Sequence, residues 1–363
     1  MKKVLILANN DVGLYKFRKE LIEELLKDYE VYISLPYGNF VNDLINIGCN
    51  FIDTTIDRRG INPINDLKLI CQYKRLVKKI CPDIILSYTI KPNIYGAYVA
   101  KKRNIPVFAN ITGLGSAVEN GGLLQKITVL MYKFAFSKIQ TVFFQNKENM
   151  QFFEDKKIAV GKHKLLPGSG VNLQHFKPLK YPDDKTTEFV FISRIMKEKG
   201  IDQYLEAAKY IRNKYPNTRF HICGFCEEDY EDILKEYQNQ GIIIYHGLLD
   251  DVRKILKITH CTIHPTYYPE GMSNVLLESC ACARPIITTD RSGCVEIVDD
   301  ERNGYIVKQK DSMDLIDKIE KFLDLNYEDK KLMGLNARKK VELEFDRNIV
   351  VKKYTTELKG IKS

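Results

Sequence analysis

At 363 residues the chain is longer than one hydrophobic core usually serves, and its length favours two domains of ordinary size. With 44% hydrophobic and 28% charged residues it has a globular composition, and the absence of any apolar run near the roughly 20 residues a bilayer demands excludes a membrane-spanning helix. The net charge of +9 is uneven: residues 1–180 hold 27 Lys and Arg against 15 Asp and Glu, a local +12 that leaves −3 for the remainder, so the first half suits an anionic partner.

The opening MKKVLILANNDVG turns polar at Asn9, Asn10 and Asp11, where a signal peptide would stay apolar, so it reads as a first buried strand. Similar runs recur as VYISL at 31–35, DIILS at 83–87, VFANI at 107–111 and TVFFQ at 141–145. Their apolarity is continuous rather than alternating, as in strands covered on both faces. Segments 14–28 and 63–80 place apolar residues at helical spacing between them, which predicts βα units and a parallel sheet. The turn NNDVGLYKFR at 9–18 lacks the G-x-G-x-x-G pattern, which disfavours a dinucleotide cofactor.

From Lys74 to Lys138 the cations Lys74, Arg75, Lys78, Lys79, Lys91, Lys101, Lys102, Arg103, Lys126 and Lys133 face only Asp83 and Glu119. Such a surface attracts anionic lipid or a phosphorylated acceptor, or is simply a set of solvated helix faces. The segment ANITGLGSAVENGG at 109–122 sets glycines after a buried strand, and LLQKITVLMYKFAFSK at 123–138 is amphipathic, fitting either a membrane surface or an interior helix.

The prolines and charges of KPLKYPDDKTTE at 177–188 read as a linker between a first domain at 1–176 and a second at 189–340, with a helical tail at 341–363 that either ends the second domain or crosses back to the first. The second domain repeats the pattern with FVFIS at 189–193, RFHIC at 219–223, IIIYH at 242–246, CTIHP at 261–265 and PIITT at 285–289. The expected fold is therefore α/β, two doubly wound Rossmann-like domains facing across a cleft that holds the site. The nine cysteines have no paired rhythm. Cys223 and Cys226 have a zinc-like spacing but lack a second pair, since Cys280 and Cys282 are spaced differently, so reduced cytoplasmic thiols and no metal are expected.

The strongest signal is TYYPEGMSNVLLESCACARPIITTD at 266–290, in which Glu270 and Glu278 are separated by seven residues. Pro269 and Gly271 break the chain, Ser273 is an expected N-cap, and 274–283 reads as a helix. Backbone N–H groups converging at Gly271, Met272, Ser273 and Asn274 favour a diphosphate, which sets Glu270 beside the sugar. Glu278 is placed to accept from vicinal ribose hydroxyls.

This segment resembles the E-x7-E signature of retaining glycosyltransferases of family 4, which have the GT-B fold, and the resemblance covers nearly the whole chain. It continues in SRIMKEKG at 193–200, where the family's donor-gripping arginine and lysine fall on Arg194 and Lys199. HGLLDDV at 246–252 is similar to the nucleobase loop, which implies donor contacts at His246, Leu248 and Val252, and SGCVEIV at 292–298 to the following glycine and acidic turn. Gly13 matches a first loop near the donor phosphates. Thr112, Gly113 and Gly115 match an acceptor-side loop, and Lys91, Thr112 or Glu119 stand in for a sugar-contacting histidine, since no histidine precedes His163.

The resemblance implies hexosyl or N-acetylhexosaminyl transfer with retention from a nucleotide sugar, UDP first among the candidates, to a glycan acceptor linked to polyprenyl diphosphate, in bacterial capsule, O-antigen or related surface-glycan synthesis. The nucleotide sugar is a co-substrate, no cofactor is expected, and the absence of an Asp-x-Asp triplet argues against a bridging metal. The expected setting is cytoplasmic and peripheral at the inner membrane face, with no nucleic-acid partner, because no recognised nucleic-acid module accompanies the basic charge. The alternatives are a nonhydrolysing nucleotide-sugar epimerase and a noncatalytic sugar-nucleotide-binding protein.

Overall fold

The apolar runs of the first half become neighbouring strands because each buries both faces. In the computed structural model Val4 and Ile6 of the first strand pack with Leu14, Val31 and Ile33, while Leu5 and Leu7 pack on the opposite face with Ile85 and Ala109. All residues are described except Arg58, Arg59, Ile61, Asn120, Lys362 and Ser363 and the side chains of Ser116 and Ala117.

The chain divides into two units, one comprising Met1–Gly170 with Arg347–Ser363 and the other Val171–Asp346. In the first unit the strands are β1 (Lys2–Leu7), β2 (Tyr29–Leu35), β3 (Asn50–Asp53), β4 (Ile84–Tyr88), β5 (Val107–Ile111), β6 (Thr141–Phe144) and β7 (His163–Leu165). They lie side by side in the order β3-β2-β1-β4-β5-β6-β7, with parallel pairings throughout. The second unit holds β8 (Thr187–Ile192), β9 (Thr218–Cys223), β10 (Ile244–Tyr245), β11 (Cys261–His264), β12 (Ile286–Thr289) and β13 (Gly304–Val307). Their order is β10-β9-β8-β11-β12-β13, again parallel. Each sheet reverses its winding beside its first strand, at β1/β4 and at β8/β11, and open α/β sheets take ligands outside the carboxyl ends of such strands.

Three strands that the apolar runs do not announce, β3, β7 and β13, all lie at sheet edges, where one side is unpaired and a strand is short. The first helix runs over Asp11–Leu25 rather than 14–28; Asn10 Oδ1 accepts from the Gly13 N–H at 2.7 Å and so caps its start three residues early.

The second unit begins at Val171, so the charged stretch 177–188 lies inside it. Tyr181 is buried there and donates to the His260 carbonyl at 3.1 Å. The expected tail is split between the units. Helix Tyr327–Glu344 packs on helix Asn274–Ala281 in the second, while Arg347–Lys359 belongs to the first. Arg347 fixes that return by donating to the carbonyls of Lys16 at 2.9 Å and Gly170 at 3.0 Å and to Glu20 at 2.8 Å.

Tyr354 anchors the middle of the last helix: its ring centroid is 4.3 Å from that of Phe143, and its oxygen accepts from Asn110 Nδ2 at 2.7 Å. Tyr354→Ala should therefore destabilise the first unit by roughly 3–5 kcal/mol in urea unfolding, against roughly 1–2 kcal/mol for Tyr354→Phe, which removes only the hydroxyl.

Candidate functional site

In the second unit, β8 and β11 are adjacent, so the segments leaving them emerge at one edge. After β8 the chain passes Arg194, makes a 3-10 turn at Lys197–Lys199 and enters helix Ile201–Lys214 through Gly200. Gly200 has φ +80°, and a Cβ there would run into the Pro265 carbonyl oxygen, so only glycine lets this turn lie against the chain leaving β11. The Tyr267 N–H and Thr266 Oγ1 both donate to the Glu198 carbonyl, at 2.9 and 3.3 Å, and tie the two segments together.

This contact joins Lys199 to Glu270, whose ammonium and carboxylate form a direct hydrogen-bonded ion pair. Arg194 lies 3.3 Å from Glu227. Both cations sit over the ring of Tyr268, the guanidinium carbon 5.3 Å and the Lys199 nitrogen 4.5 Å from its centroid. Burial alone would raise the Glu270 carboxyl, but the Lys199 ammonium and then His264 outweigh it and hold it down at about 2. Its stabilising charge is thus present above the ordinary carboxylate range and is lost only as pH falls through that value.

Gly271, Met272 and Ser273 are buried and lead into helix Asn274–Ala281, somewhat shorter than the 274–283 expected. Ser273 holds the N-cap position, yet its side chain makes no capping hydrogen bond. The Ser273 N–H is held by the Gly293 carbonyl at 2.8 Å, and Gly293 adopts φ +88° to approach so closely. Glu278 is half-buried in that helix. The edge therefore gathers Arg194, Lys199, Glu270 and the 271–274 helix start, a combination of fixed cations and helix N-terminus that suits a diphosphate.

The loop at 246–252 divides. Val252 packs on the Ile192 cluster together with Val275 of the same short helix, and Leu248 is exposed. His246 is engaged with its own unit, Nε2 lying 2.9 Å from His221 Nδ1 with the rings stacked, while His221 Nε2 meets Glu188 at 2.8 Å. Burial, then His221, pushes the His246 imidazole below its ordinary value. Sequence reading passed over Tyr268, Glu227 and His264. Tyr268 lies inside the strongest motif, whereas nothing local marks the other two.

In the first unit, Gly13 sits in the first turn of helix Asp11–Leu25 with its N–H taken by Asn10, so the turn beside β1 is made by residues 8–10. Lys91 is likewise committed, to Asp66 at 2.8 Å and to the Gly60 carbonyl at 2.7 Å. Thr112 follows β5, and Gly113 and Gly115 take φ +142° and +73° on the way to the short helix Ser116–Glu119, where Glu119 is exposed. Helix Gly122–Ala135 buries Thr128, Val129, Tyr132 and Ala135. Its other face shows Leu123 at 73%, Ile127 at 44%, Leu130 at 65% and Phe134 at 60% exposure. No helix among the described residues is long and apolar enough to cross a membrane, and none of their His, Cys, Asp and Glu side chains cluster in threes fit to hold a metal ion.

Residues 3–146 match the family model for glycosyl transferase 4-like proteins, and residues 173–340 that for glycosyl transferases group 1. The N,N'-diacetylbacillosaminyl-diphospho-undecaprenol alpha-1,3-N-acetylgalactosaminyltransferase of Campylobacter jejuni is 28% identical over 370 residues, covering 96% of each chain. The UDP-Gal:alpha-D-GlcNAc-diphosphoundecaprenol alpha-1,3-galactosyltransferase of Escherichia coli is 25% identical over 354 residues, 88% of this chain and 89% of its own. The crystal structure of Anabaena HepE in complex with UDP superposes with a TM-score of 0.80 over 99% of this chain and 100% of that one at 15% identity, which speaks to the fold. With a 4-like first half and a group 1 second half, both doubly wound, the chain belongs to the glycosyltransferases of the GT-B fold.

Proposed function

We propose that the protein moves a hexose or N-acetylhexosamine, with retention and without a metal ion, from a UDP-sugar to a polyprenyl-diphosphate-linked glycan in surface-polysaccharide synthesis. The observation that carries this reading is the meeting of Lys199, Arg194 and Glu270 beside the start of helix Asn274–Ala281 at the β8/β11 reversal. The bond from the anomeric carbon to the diphosphate oxygen breaks as negative charge builds on that oxygen. Arg194, Lys199 and the helix start are fixed donors for this charge, the work a divalent ion would otherwise do. The acceptor oxygen bonds the same face of the anomeric carbon, and its proton passes to the departing diphosphate.

The names of the two relatives support the acceptor class and the sugar, since both carry a diphospho-undecaprenol substrate and an alpha-1,3 product. From an α-linked nucleotide sugar an α product means retention. Glu270, ionised at any physiological pH, suits a hydroxyl of the transferred sugar, and Glu278 those of the ribose. A panel of UDP- and GDP-sugars with short lipid-diphosphate-linked acceptors, read by product mass and linkage, tests the assignment. Lys199→Ala, Arg194→Ala and Glu270→Ala should each lower transfer by about tenfold or more, and chelators should leave it intact. Wild-type turnover by Lys199→Ala, or loss of turnover in EDTA, would remove the donor assignment.

The same reading places a membrane beside the enzyme, and helix Gly122–Ala135 suits it. Leu123, Ile127, Leu130 and Phe134 recur at i, i+4, i+7 and i+11, one exposed stripe flanked by exposed Lys126 and Lys133. Lys101 stands 4.2 Å over the Phe134 ring. Apolar side chains rimmed by cations match the surface of an anionic bilayer. At low salt the protein should float with vesicles containing anionic lipid and stay down with neutral ones, and Leu130→Glu with Phe134→Glu should abolish flotation without lowering transfer to a water-soluble acceptor. Flotation unchanged in that double variant would dismiss the stripe as the contact.

A further inference from the structure

His264 ends β11, a residue only 2% exposed, and neither ring nitrogen has a hydrogen-bond partner among the described residues. Buried polar groups are almost always satisfied, so an imidazole left bare calls for an explanation in another state of the protein. Packing does not supply one. Its neighbour across the core is the Phe191 ring, 6.4 Å away between centroids, where an aliphatic side chain would serve as well. The backbone is fixed, because Thr288 Oγ1 donates to the His264 carbonyl at 2.7 Å.

The geometry points to Glu270. His264 Nε2 is 3.9 Å from Glu270 Oε1, about 1 Å beyond a hydrogen bond, and that same oxygen is the one paired with Lys199. Resting on the donor assignment proposed above, Lys199 has two anions to serve: the carboxylate before the donor arrives and the diphosphate afterwards. We propose that His264 is a positioning residue that takes over the hydrogen bond to Glu270 when the diphosphate draws the Lys199 ammonium away, and so keeps the carboxylate aimed at the sugar. The charged groups facing it are Glu270 and Lys199. A neutral ring suits that setting: it gives the carboxylate an N–H without placing a second cation beside Lys199, and burial, the largest influence on this imidazole, favours the neutral form.

The test compares His264→Phe, which keeps a ring and removes both nitrogens, with His264→Gln, whose amide nitrogen lies near the place of Nε2, with Glu270→Ala, and with the His264→Phe/Glu270→Ala double variant, all in the full chain with a UDP-sugar and lipid-linked acceptor. We expect His264→Phe to lower kcat by about tenfold while the donor KM changes less than about threefold, His264→Gln to recover a large part of kcat, and His264→Phe to cost nothing further once Glu270 is alanine. Thermal midpoints are read in parallel, and if the phenylalanine variant does not fold, His264→Gln against His264→Leu gives the same comparison. Full kcat in His264→Phe with Glu270→Ala inactive, or an equal loss in both backgrounds, overturns this inference alone. Wild-type turnover by Glu270→Ala overturns the donor assignment and the inference with it.

Discussion

The candidate site of the second unit depends on one pairing, the parallel register of β8 against β11 that sets Phe189 opposite Cys261 and Val190 opposite Thr262. Because both strands run the same way, the loops leaving them emerge at the same edge, and residues 71 positions apart become an ion pair. The register alone would leave the segments apart. Gly200 closes the remaining distance, since at φ +80° with no Cβ it lets the turn carrying Lys199 rest on Pro265, and the Glu198 carbonyl then gathers Thr266 and Tyr267. Geometry at the far end of two loops is in this way inherited from the sheet, the most rigid part of the unit.

Burying an ammonium by itself costs several kcal/mol, and Lys199 is only 6% exposed. Glu270 offsets that cost, and Glu227 does the same for Arg194 with Tyr268 as a shared apolar floor. The resting edge is thus close to neutral although it is full of charge. On the proposed donor assignment, an entering diphosphate would not meet two bare cations. It would compete with two carboxylates, so part of its attraction would go into displacing them and ground-state binding would be moderated. The attraction that grows as the leaving oxygen gains charge would not be reduced in this way, because the cations would by then be released from the carboxylates.

Much of this was legible in the sequence wherever the cause is local. Continuous apolar runs announced the central strands because both faces of those strands are buried, and they failed for the edge strands β3 and β7, which have less to bury, and for β13, whose four residues are too short a run to stand out. Arg194, Lys199 and Glu270 stood out because each comes after a buried strand within a short motif. His264 did not, since inside CTIHP it reads as one more strand residue and acquires its meaning only from a lysine brought over by strand pairing. Gly13 and Lys91 were singled out by residue type, and the fold gives each a local partner that no motif announces, Asn10 for the N–H of one and Asp66 for the charge of the other. The stretch at 177–188 looked like a linker by composition, while the buried Tyr181 anchors it to the second unit.

Helix Gly122–Ala135 marks a limit of periodicity as a signal. A helix with one apolar face declares which side is inside, but this one is apolar on two. Val129, Tyr132 and Ala135 join the first core, yet Leu123, Ile127, Leu130 and Phe134 lie on another side of the helix, and the sequence alone fits an interior helix as well as a surface one. The fold decides between them by committing only half of the apolar side chains to the core. Water is an unfavourable neighbour for the other half, at about 25 cal/mol for each Å² left exposed. Under the proposed bilayer contact, the lysines around the stripe would meet anionic headgroups while the apolar chains enter beneath them.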